Sequence, residues 1–591
     1  MTDLLIIAIA TPFAAGCLCW LIPERVRYLR EAISLVTTGL LIGYVGGMAG
    51  MRWSDRWFSV DTLGWFVALG IAFFAFITAV YSVAYMRDYR CRRAYDALVL
   101  WTASAGIAAA LSNHLILFIS FWGFLGLTLY LLVSLGGSRA AAGAKKTFII
   151  VGGSDAFLLL GIAILWTLTG SFTMSDMQIS ISGGIQAAAF LCLLCAALAK
   201  AGAMPVHTWI PEIAETAPVP VTAFLPASVD KLLGIYLLAR ICLDLFAFHQ
   251  GLWLLVRLIG AVTIVAAVMM ALVQHEMKKL LSYHAVSQVG YMVLGISTGN
   301  PIGIAGGLFH MANHAVYKCA LFLGAGAVEK ATGTTDLDRL GGLGRRMPVT
   351  FFCFLLASLA ISGVPPLNGF FSKWMVYQGL FLAAQDKDPS WAVWLVAAMI
   401  GSGLTLASFI KILHSVFLGH PRQDDTAREV SGWMLAPSLI LAGFCVAWGV
   451  GFLIPVQMFL GEVAGITEAD LAFLLPPVAL LLAALVLGAL GLLFVASLRV
   501  RIVPSFVGGE TPTAEMEMSG TGFYRTVEEE PLLSRLYAAA RKKAFDLYEV
   551  LKATVFYAGA GLSASHTGIL LAYISWILFG TVILLFLFVR V

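Results

Sequence analysis

The sequence predicts an all-α, polytopic membrane protein, and three observations carry that prediction. Of its 591 residues, 60% are apolar. Only 12% are Asp, Glu, Lys or Arg, about half the ~25% of an average soluble chain. Apolar runs of about 20 residues, the length a helix needs to cross a bilayer, recur from one end to the other.

The remaining bulk properties narrow the classes. A mean hydropathy of +0.91 fits many spans. The net charge of +4, with no basic cluster interleaved with aromatics, argues against nucleic acid as a partner. Among the nine cysteines, Cys17/Cys19 and Cys192/Cys195 lie inside apolar runs without a second CxxC at zinc spacing. They read as small buried hydrophobes rather than disulfide, zinc or cluster ligands. The start, MTDLLIIAIATPFAAGCLCW, lacks a basic n-region and carries Asp3, which predicts a retained span rather than a cleaved signal.

Sixteen spans are expected, at about 2–22, 31–51, 62–86, 95–111, 114–135, 146–168, a broken one across 186–240, 252–273, 281–299, 303–328, 349–364, 366–384, 391–418, 433–455, 472–498 and 567–590. They divide the chain into N-terminal helices (1–94), a first half (95–273), a second half (281–418), C-terminal helices (433–498), a polar stretch with an amphipathic helix (499–566) and a final span (567–591). Arg25, Arg27 and Arg30, then Arg87, Arg90, Arg92 and Arg93, then Arg139, Lys145 and Lys146 all fall in odd loops, which places those loops in the cytoplasm. Lys330, Arg339, Arg345 and Arg346 fall in an even loop and vote the other way.

Two spans are interrupted. In the first, Pro205, Pro211, Pro218, Pro220 and Pro226 cannot share one regular helix, because each removes a donor and crowds the preceding turn. The second reads LAISGVPPLNGFFSKW. Both contain Gly-x-x-Pro, Gly202 to Pro205 and Gly363 to Pro366, flanked by Lys200 and Lys373. Paired broken helices in two halves predict inverted repeats with ion sites at the breaks. Farther on, apolar residues from Leu533 to Val555 recur at three and four with Arg541, Lys542, Lys543 and Glu549 between them. This predicts an amphipathic helix along the membrane surface before the last span.

The stretch GGLFHMANHAVYKCALFLGAG, residues 306–326, is apolar yet carries His310, His314 and Lys318. Their four-residue spacing places them on one helical stripe with steps of ~6 Å. Ionisable groups at membrane depth cost on the order of 2.5–3.5 kcal/mol each and usually face a cavity or one another. Such a row could fill polar gaps between packed helices. Three in register favour a proton path, since imidazole changes charge near neutral pH.

These segments together resemble a known family. The run Ala196-Ala-Leu-Ala-Lys200-Ala-Gly-Ala-Met-Pro-Val-His-Thr-Trp-Ile-Pro211 is similar to the broken helix of the antiporter-like subunits of respiratory complex I, membrane-bound hydrogenases and Mrp-type cation/proton antiporters. Met277-Lys-Lys-Leu-Leu-Ser-Tyr-His-Ala-Val-Ser-Gln-Val-Gly-Tyr291 resembles the family's K-R/K-x-L-A-Y-S-x-x-S-Q-x-G-Y segment. The helix with His310, His314 and Lys318 matches its H-x-x-x-H-x-x-x-K pattern, and Gly369-Phe-Phe-Ser-Lys373 its G-F-x-S-K segment. Asp61, Tyr85-Met86 and Asn113 also have counterparts. Sixteen spans and a surface helix ahead of the last one resemble most the L-type subunit, whose lateral helix is far longer than the ~37 Å of a 25-residue helix.

The resemblance implies that Lys200 serves a first half-channel, that His310, His314 and Lys318 form the central connection, and that Lys373 serves the second half-channel. It also implies a Trp-Glu pair in the fifth span. Here that stretch is Phe121-Trp122-Gly123-Phe124, without the glutamate, and Asp155 is the expected replacement as counter-ion of Lys200. The adjacent pair Asp230-Lys231 is a second departure, either a local ion pair or an extension of the path. Glu212, Lys278 and Lys279 complete the accessory candidates.

No segment offers a nucleotide loop, a haem ligand pair or cluster-binding cysteines, so neither a cofactor nor redox chemistry is expected of this chain itself. The expected function is movement of protons, or sodium, driven by a redox module among other membrane subunits of a bacterial or archaeal cytoplasmic membrane. Two rivals stand beside it. One is a subunit of a Mrp-type sodium/proton antiporter, against which a single span after the amphipathic helix argues. The other is an anchor that has lost pumping and supports a soluble partner, such as one that hydrates carbon dioxide. The missing glutamate favours that last reading, and the retained lysines and histidines oppose it.

Overall fold

A computed structural model describes residues 2–89, 91–247, 249–383, 389–419, 427–472, 474, 478, 508–509 and 520–589. The chain forms two units, Met1–Glu530 and Pro531–Val591.

The first unit is a helical bundle. It opens with α1 (Thr2–Leu21), α2 (Arg27–Gly46), α3 (Thr62–Tyr85), α4 (Arg92–Ala110), α5 (Leu115–Ser134) and α6 (Ala141–Thr169). The first broken region follows as α7 (Gly184–Ala201), the short α8 (Trp209–Ala214), α9 (Val219–Phe224) and α10 (Asp230–Ala239). Next come α11 (Gln250–Leu272), α12 (Met277–Ile296) and α13 (Pro301–Thr332). The second break lies between α14 (Pro348–Ser362) and α15 (Asn368–Ala383), and α16 (Trp391–Leu413) and α17 (Gly432–Val450) follow. Side-chain caps set several of the starts: Asp61 accepts the Gly64 N–H at 2.7 Å, Glu276 that of Lys279 at 2.6 Å and Asn300 that of Gly303 at 2.9 Å.

Among the described residues, eleven helices are long and apolar enough to cross a membrane. The more polar α12 and α13 are not among them. At 32 residues α13 is about 48 Å long, yet every residue from Ile302 to Val328 is buried among other helices, so it needs no apolar coat. The outer helices supply that coat: on α16, Val393, Val396, Met399, Ile400 and Ile410 are exposed.

The structure revises two expectations about the spans. The 186–240 stretch is not one broken span but two crossing-length helices, Gly184–Ala201 and Val219–Leu245, with α8 between them. The second is continuous, with π-type turns at Leu225–Val229 and Arg240–Leu245. Pro226 explains the first π turn, because it has no N–H for the regular ladder. Conversely, 349–364 and 366–384 are helices of only 15 and 16 residues, each short of the ~20 a crossing needs. They are two segments of the second broken helix. The expected span at 472–498 lies outside the described residues, apart from Leu474 and Val478.

The extra crossing removes the conflict over orientation. Lys330 Nζ pairs with Asp88 at 2.6 Å, and the Tyr85 hydroxyl donates to Glu329 at 3.1 Å. These contacts tie the end of α13 to the loop after α3. The even loop with Arg339, Arg345 and Arg346 therefore lies on the same face as the odd loops, and the positive-inside rule assigns that whole basic face to the cytoplasm. Arg90 lies outside the described residues.

The second unit holds three helices, Pro531–Arg541, Leu547–Ser565 and Leu570–Val589. The expected single amphipathic helix is thus split. Lys543 takes a left-handed φ of 57°, and Asp546 caps the second piece by accepting the Tyr548 N–H at 3.1 Å. Of the cysteines expected to be buried, Cys19 is buried while Cys17, Cys192 and Cys195 are half-buried, and Cys91 is exposed.

Candidate functional site

The two breaks free backbone carbonyls inside the bundle, and buried side chains take them up. α7 stops at Gly202, whose φ of 76° is left-handed, so the last carbonyls of the helix lose their intrahelical partners. The Trp209 indole N–H donates to Ala199 O at 3.0 Å, and Lys231 Nζ donates to Ala201 O. α14 stops in the same way at Gly363, φ 82°, and Lys373 Nζ donates to Ile361 O at 2.8 Å. A lysine therefore serves the free end of each half-helix, where its charge complements the helix dipole. A Cβ on Gly202 would meet Ile210 and lie 2.9 Å from Lys231 Nζ. Gly202→Ala should therefore lower the melting temperature of the purified protein more than Gly170→Ala. Both positions carry the ~1–2 kcal/mol cost of a left-handed non-glycine residue, but Gly170 faces open space.

Around these breaks runs a row of buried charges. Lys200 is fully buried, with Nζ 3.5 Å from Trp122 O and 4.6 Å from the Trp122 ring centroid. Two carboxylates act on it by charge, Asp230 more strongly than Asp155. Asp230, wholly buried behind the π turn, has no hydrogen-bond partner on either oxygen and lies in the fields of Lys200 and Lys231. It is thus a shared counter-ion for two lysines rather than the partner of its neighbour alone. Asp155 is one of two candidates, not the only one.

The central helix continues the row. His314 is buried with both nitrogens unpartnered, and Lys231, Lys318 and His310 act on it by charge. It stands between the two breaks. Lys318 Nζ donates to Leu281 O on α12 at 2.7 Å. His310 is held on both nitrogens, by Ser372 at 2.9 Å, Gln288 at 3.1 Å and the Tyr317 hydroxyl at 3.2 Å. Lys373 acts on it by charge and itself lies 4.8 Å from the Tyr291 ring. Asn313 and Asn368 exchange reciprocal hydrogen bonds of 3.0 Å that lock α13 to the start of α15.

The structure keeps three of the accessory candidates out of this row. Glu212 pairs with Lys146 at 3.2 Å, Lys278 with Glu329 at 2.8 Å and Lys279 with Glu215 at 2.9 Å. All three sit at helix ends on the basic face. Beside them, burial raises the Glu276 carboxyl above its ordinary range, opposed by hydrogen bonds from Thr335 and the Lys279 N–H. Asp61 pairs with Arg240 at 2.5 Å, and Asn113 donates to Asp55 O at 2.7 Å; both are structural clasps.

Three buried groups adjoin the row that the sequence reading passes over. They are His284 on α12 and Ser408 and Lys411 on α16. One signal was available: His284 stands where the family segment has serine.

Residues 112–409, about half of the chain, match the family described as NADH:quinone oxidoreductase/Mrp antiporter, TM. The chain belongs to this family. Hydrogenase-4 component B of Escherichia coli (strain K12) is 31% identical over 424 residues, 67% of this chain and 62% of that protein. The Na(+)/H(+) antiporter subunit A1 of Staphylococcus aureus is 30% identical over 418 residues, 66% of this chain and 52% of that protein. The chain thus spans between about half and five-eighths of these curated relatives' lengths. A chain of the membrane-bound sulfane sulfur reductase (MBS), an archaeal respiratory membrane complex, shares the fold with a TM-score of 0.79 at 22% identity, over 98% of this chain and 100% of that one. Within this antiporter family the matched region contains the whole row from Trp122 to Lys373. A Cβ on Gly123 would lie 3.9 Å from Asp155 Oδ2, so Asp155 reaches the place that the resemblance assigns to a glutamate.

Proposed function

We propose that this chain is the proton-translocating membrane subunit of an electron-transfer complex of the NADH–quinone oxidoreductase or hydrogenase type. One observation carries the reading: titratable groups, all buried except the partly buried Asp155, succeed one another from Asp155 through Lys200, Asp230, Lys231, His314 and His310 to Lys373, with Lys318 beside His314. Each acts by charge on the next, so a proton gained at one end repels the proton beyond it. The two breaks lend free carbonyls and glycines to the row where regular helix would seal it. The energy comes from a partner, and a peripheral redox module beside other membrane subunits would supply the impulse.

A Mrp-type sodium/proton antiporter is the second reading, favoured by the Staphylococcus aureus relative. The experiment that separates them uses the complex that co-purifies with this chain, reconstituted in vesicles. Proton uptake that follows electron transfer, persists without sodium and disappears in Lys200→Ala supports the first reading. Uptake that needs a sodium gradient and no electron donor supports the second and overturns the first.

A further inference from the structure

We infer that His284 is a relay residue joining Lys318 to Lys411, and that it opens the second half of the row to the basic face of the bundle. This rests on the proton-transport reading above.

His284 lies on α12, fully buried, with Nε2 2.7 Å from the Ser408 hydroxyl and Nδ1 without a partner. One ring nitrogen is thus committed and the other is open. Lys318 approaches from one side. Its Nζ donates to Leu281 O, and Leu281 lies one turn before His284 on the same face of α12. Both groups share the Phe409 ring, His284 at 4.8 Å between centroids and Lys318 Nζ at 5.6 Å.

Lys411 approaches from the other side, one turn beyond Ser408 on α16. Its Nζ donates to Leu272 O at 2.6 Å and Gln274 O at 2.7 Å, at the end of α11 and in the loop after it. It lies 5.3 Å from the Tyr524 ring, and Asp338 and Glu528 act on it by charge. Asp338 also pairs with His275 at 2.7 Å, next to Glu276 on the basic face. Lys318, His284, Ser408 and Lys411 therefore descend from the centre of the bundle to its cytoplasmic rim. Three cations on neighbouring helices act on the ring by charge, Lys318 on α13, Lys373 on α15 and Lys411 on α16. Like charges this close exclude one another, so the cluster carries its protons in turn.

The transfer balances. His284 Nδ1 takes the proton of the Lys318 ammonium by way of water, leaving the amine. Nε2–H passes its proton to the Ser408 oxygen while the hydroxyl proton moves on, again through water, to a neutral Lys411. The ring ends neutral, and one proton has moved from Lys318 to Lys411. Lys373, which acts on the same ring by charge, lies 4.8 Å from the Tyr291 ring.

The test uses the intact complex in vesicles. His284→Gln retains a side chain that can hydrogen-bond Ser408 but cannot titrate. It should lower protons moved per electron at least about tenfold, the scale of a lost proton-transfer group, with subunit composition and electron transfer retained. Ser408→Ala should enlarge the H2O/D2O ratio of the transport rate, because hand-over from Nε2 becomes the slow step. An unchanged ratio means His284 only packs, and overturns the relay. So does wild-type transport in His284→Gln while Lys318→Ala is inactive. If Lys318→Ala and His284→Gln both transport normally, the transport reading itself has failed.

Discussion

Replacing Lys318 with alanine should abolish proton translocation, by at least tenfold per electron on the scale of a lost proton-transfer group, while the partner's electron transfer continues in part. Lys318 is fully buried, and it donates a hydrogen bond to Leu281 O on α12 rather than to its own helix. On one side stand Lys231 and His314, on the other the groups around His284. Without the amine, His314 loses its neighbour about 6 Å farther along the stripe, and the next position on that stripe, Phe322, cannot titrate. Lys318→Arg sharpens the result. It keeps a cation and a donor for Leu281 O, but a guanidinium does not release its proton in a protein. A path that needs proton release fails in both variants. Wild-type transport in Lys318→Arg would show that a fixed charge is enough and would remove Lys318 from the path. His310→Ala should also uncouple, with an added folding cost of about 1–3 kcal/mol as Ser372 and Gln288 lose their partner.

The parts legible in the sequence are those a single helix or a short motif encodes. The spacing of His310, His314 and Lys318 placed them on one stripe, and α13 carries them so. The Gly-x-x-Pro pairs marked both breaks because glycine's left-handed freedom and proline's missing donor act within a few residues. What escaped depends on groups far apart in the chain. Asp230-Lys231 reads as either a local ion pair or an extension of the path, and only the fold shows that Lys200, thirty residues earlier, also acts on Asp230 by charge. Lys411, at the foot of an apolar helix, looks like an ordinary flanking cation until its carbonyl partners 139 and 137 residues away are known. The miscount at 186–240 has a similar origin. Five prolines mark where regular helix fails but not how often the chain turns back, and only the contacts of Glu212 and Glu215 with Lys146 and Lys279 show that α8 reaches the basic face. Glu212, Lys278 and Lys279 read as accessory candidates for the site, while the fold holds them in ion pairs on that rim.

Asp230→Asn should damage the first half of the row more than Asp155→Asn, and the contrast rests on burial. Asp230 is the inner carboxylate, enclosed with Lys200 and Lys231. Removing it leaves two buried ammonium groups to repel each other, and breaking a buried charge pairing costs about 3–5 kcal/mol. The lysines can avoid that cost by giving up a proton, which leaves the row without the charge it passes along. Either way Lys200 no longer cycles, and transport should fall at least tenfold by analogy with a lost acid–base group. Asp155 is only partly buried and is the weaker of the two charges on Lys200, so Asp155→Asn should lower transport several-fold without stopping it. Gly123→Glu supplies the discriminating measurement. A carboxylate there enters beside Asp155, and it should restore transport to Asp155→Asn but not to Asp230→Asn. In an otherwise unaltered chain the same substitution crowds two carboxylates, which then share a proton rather than both ionise. Proton translocation per electron in vesicles reads all five variants. Full transport in Asp230→Asn, or rescue of that variant by Gly123→Glu, would return Asp230 to a local ion pair and leave Asp155 as the counter-ion of Lys200.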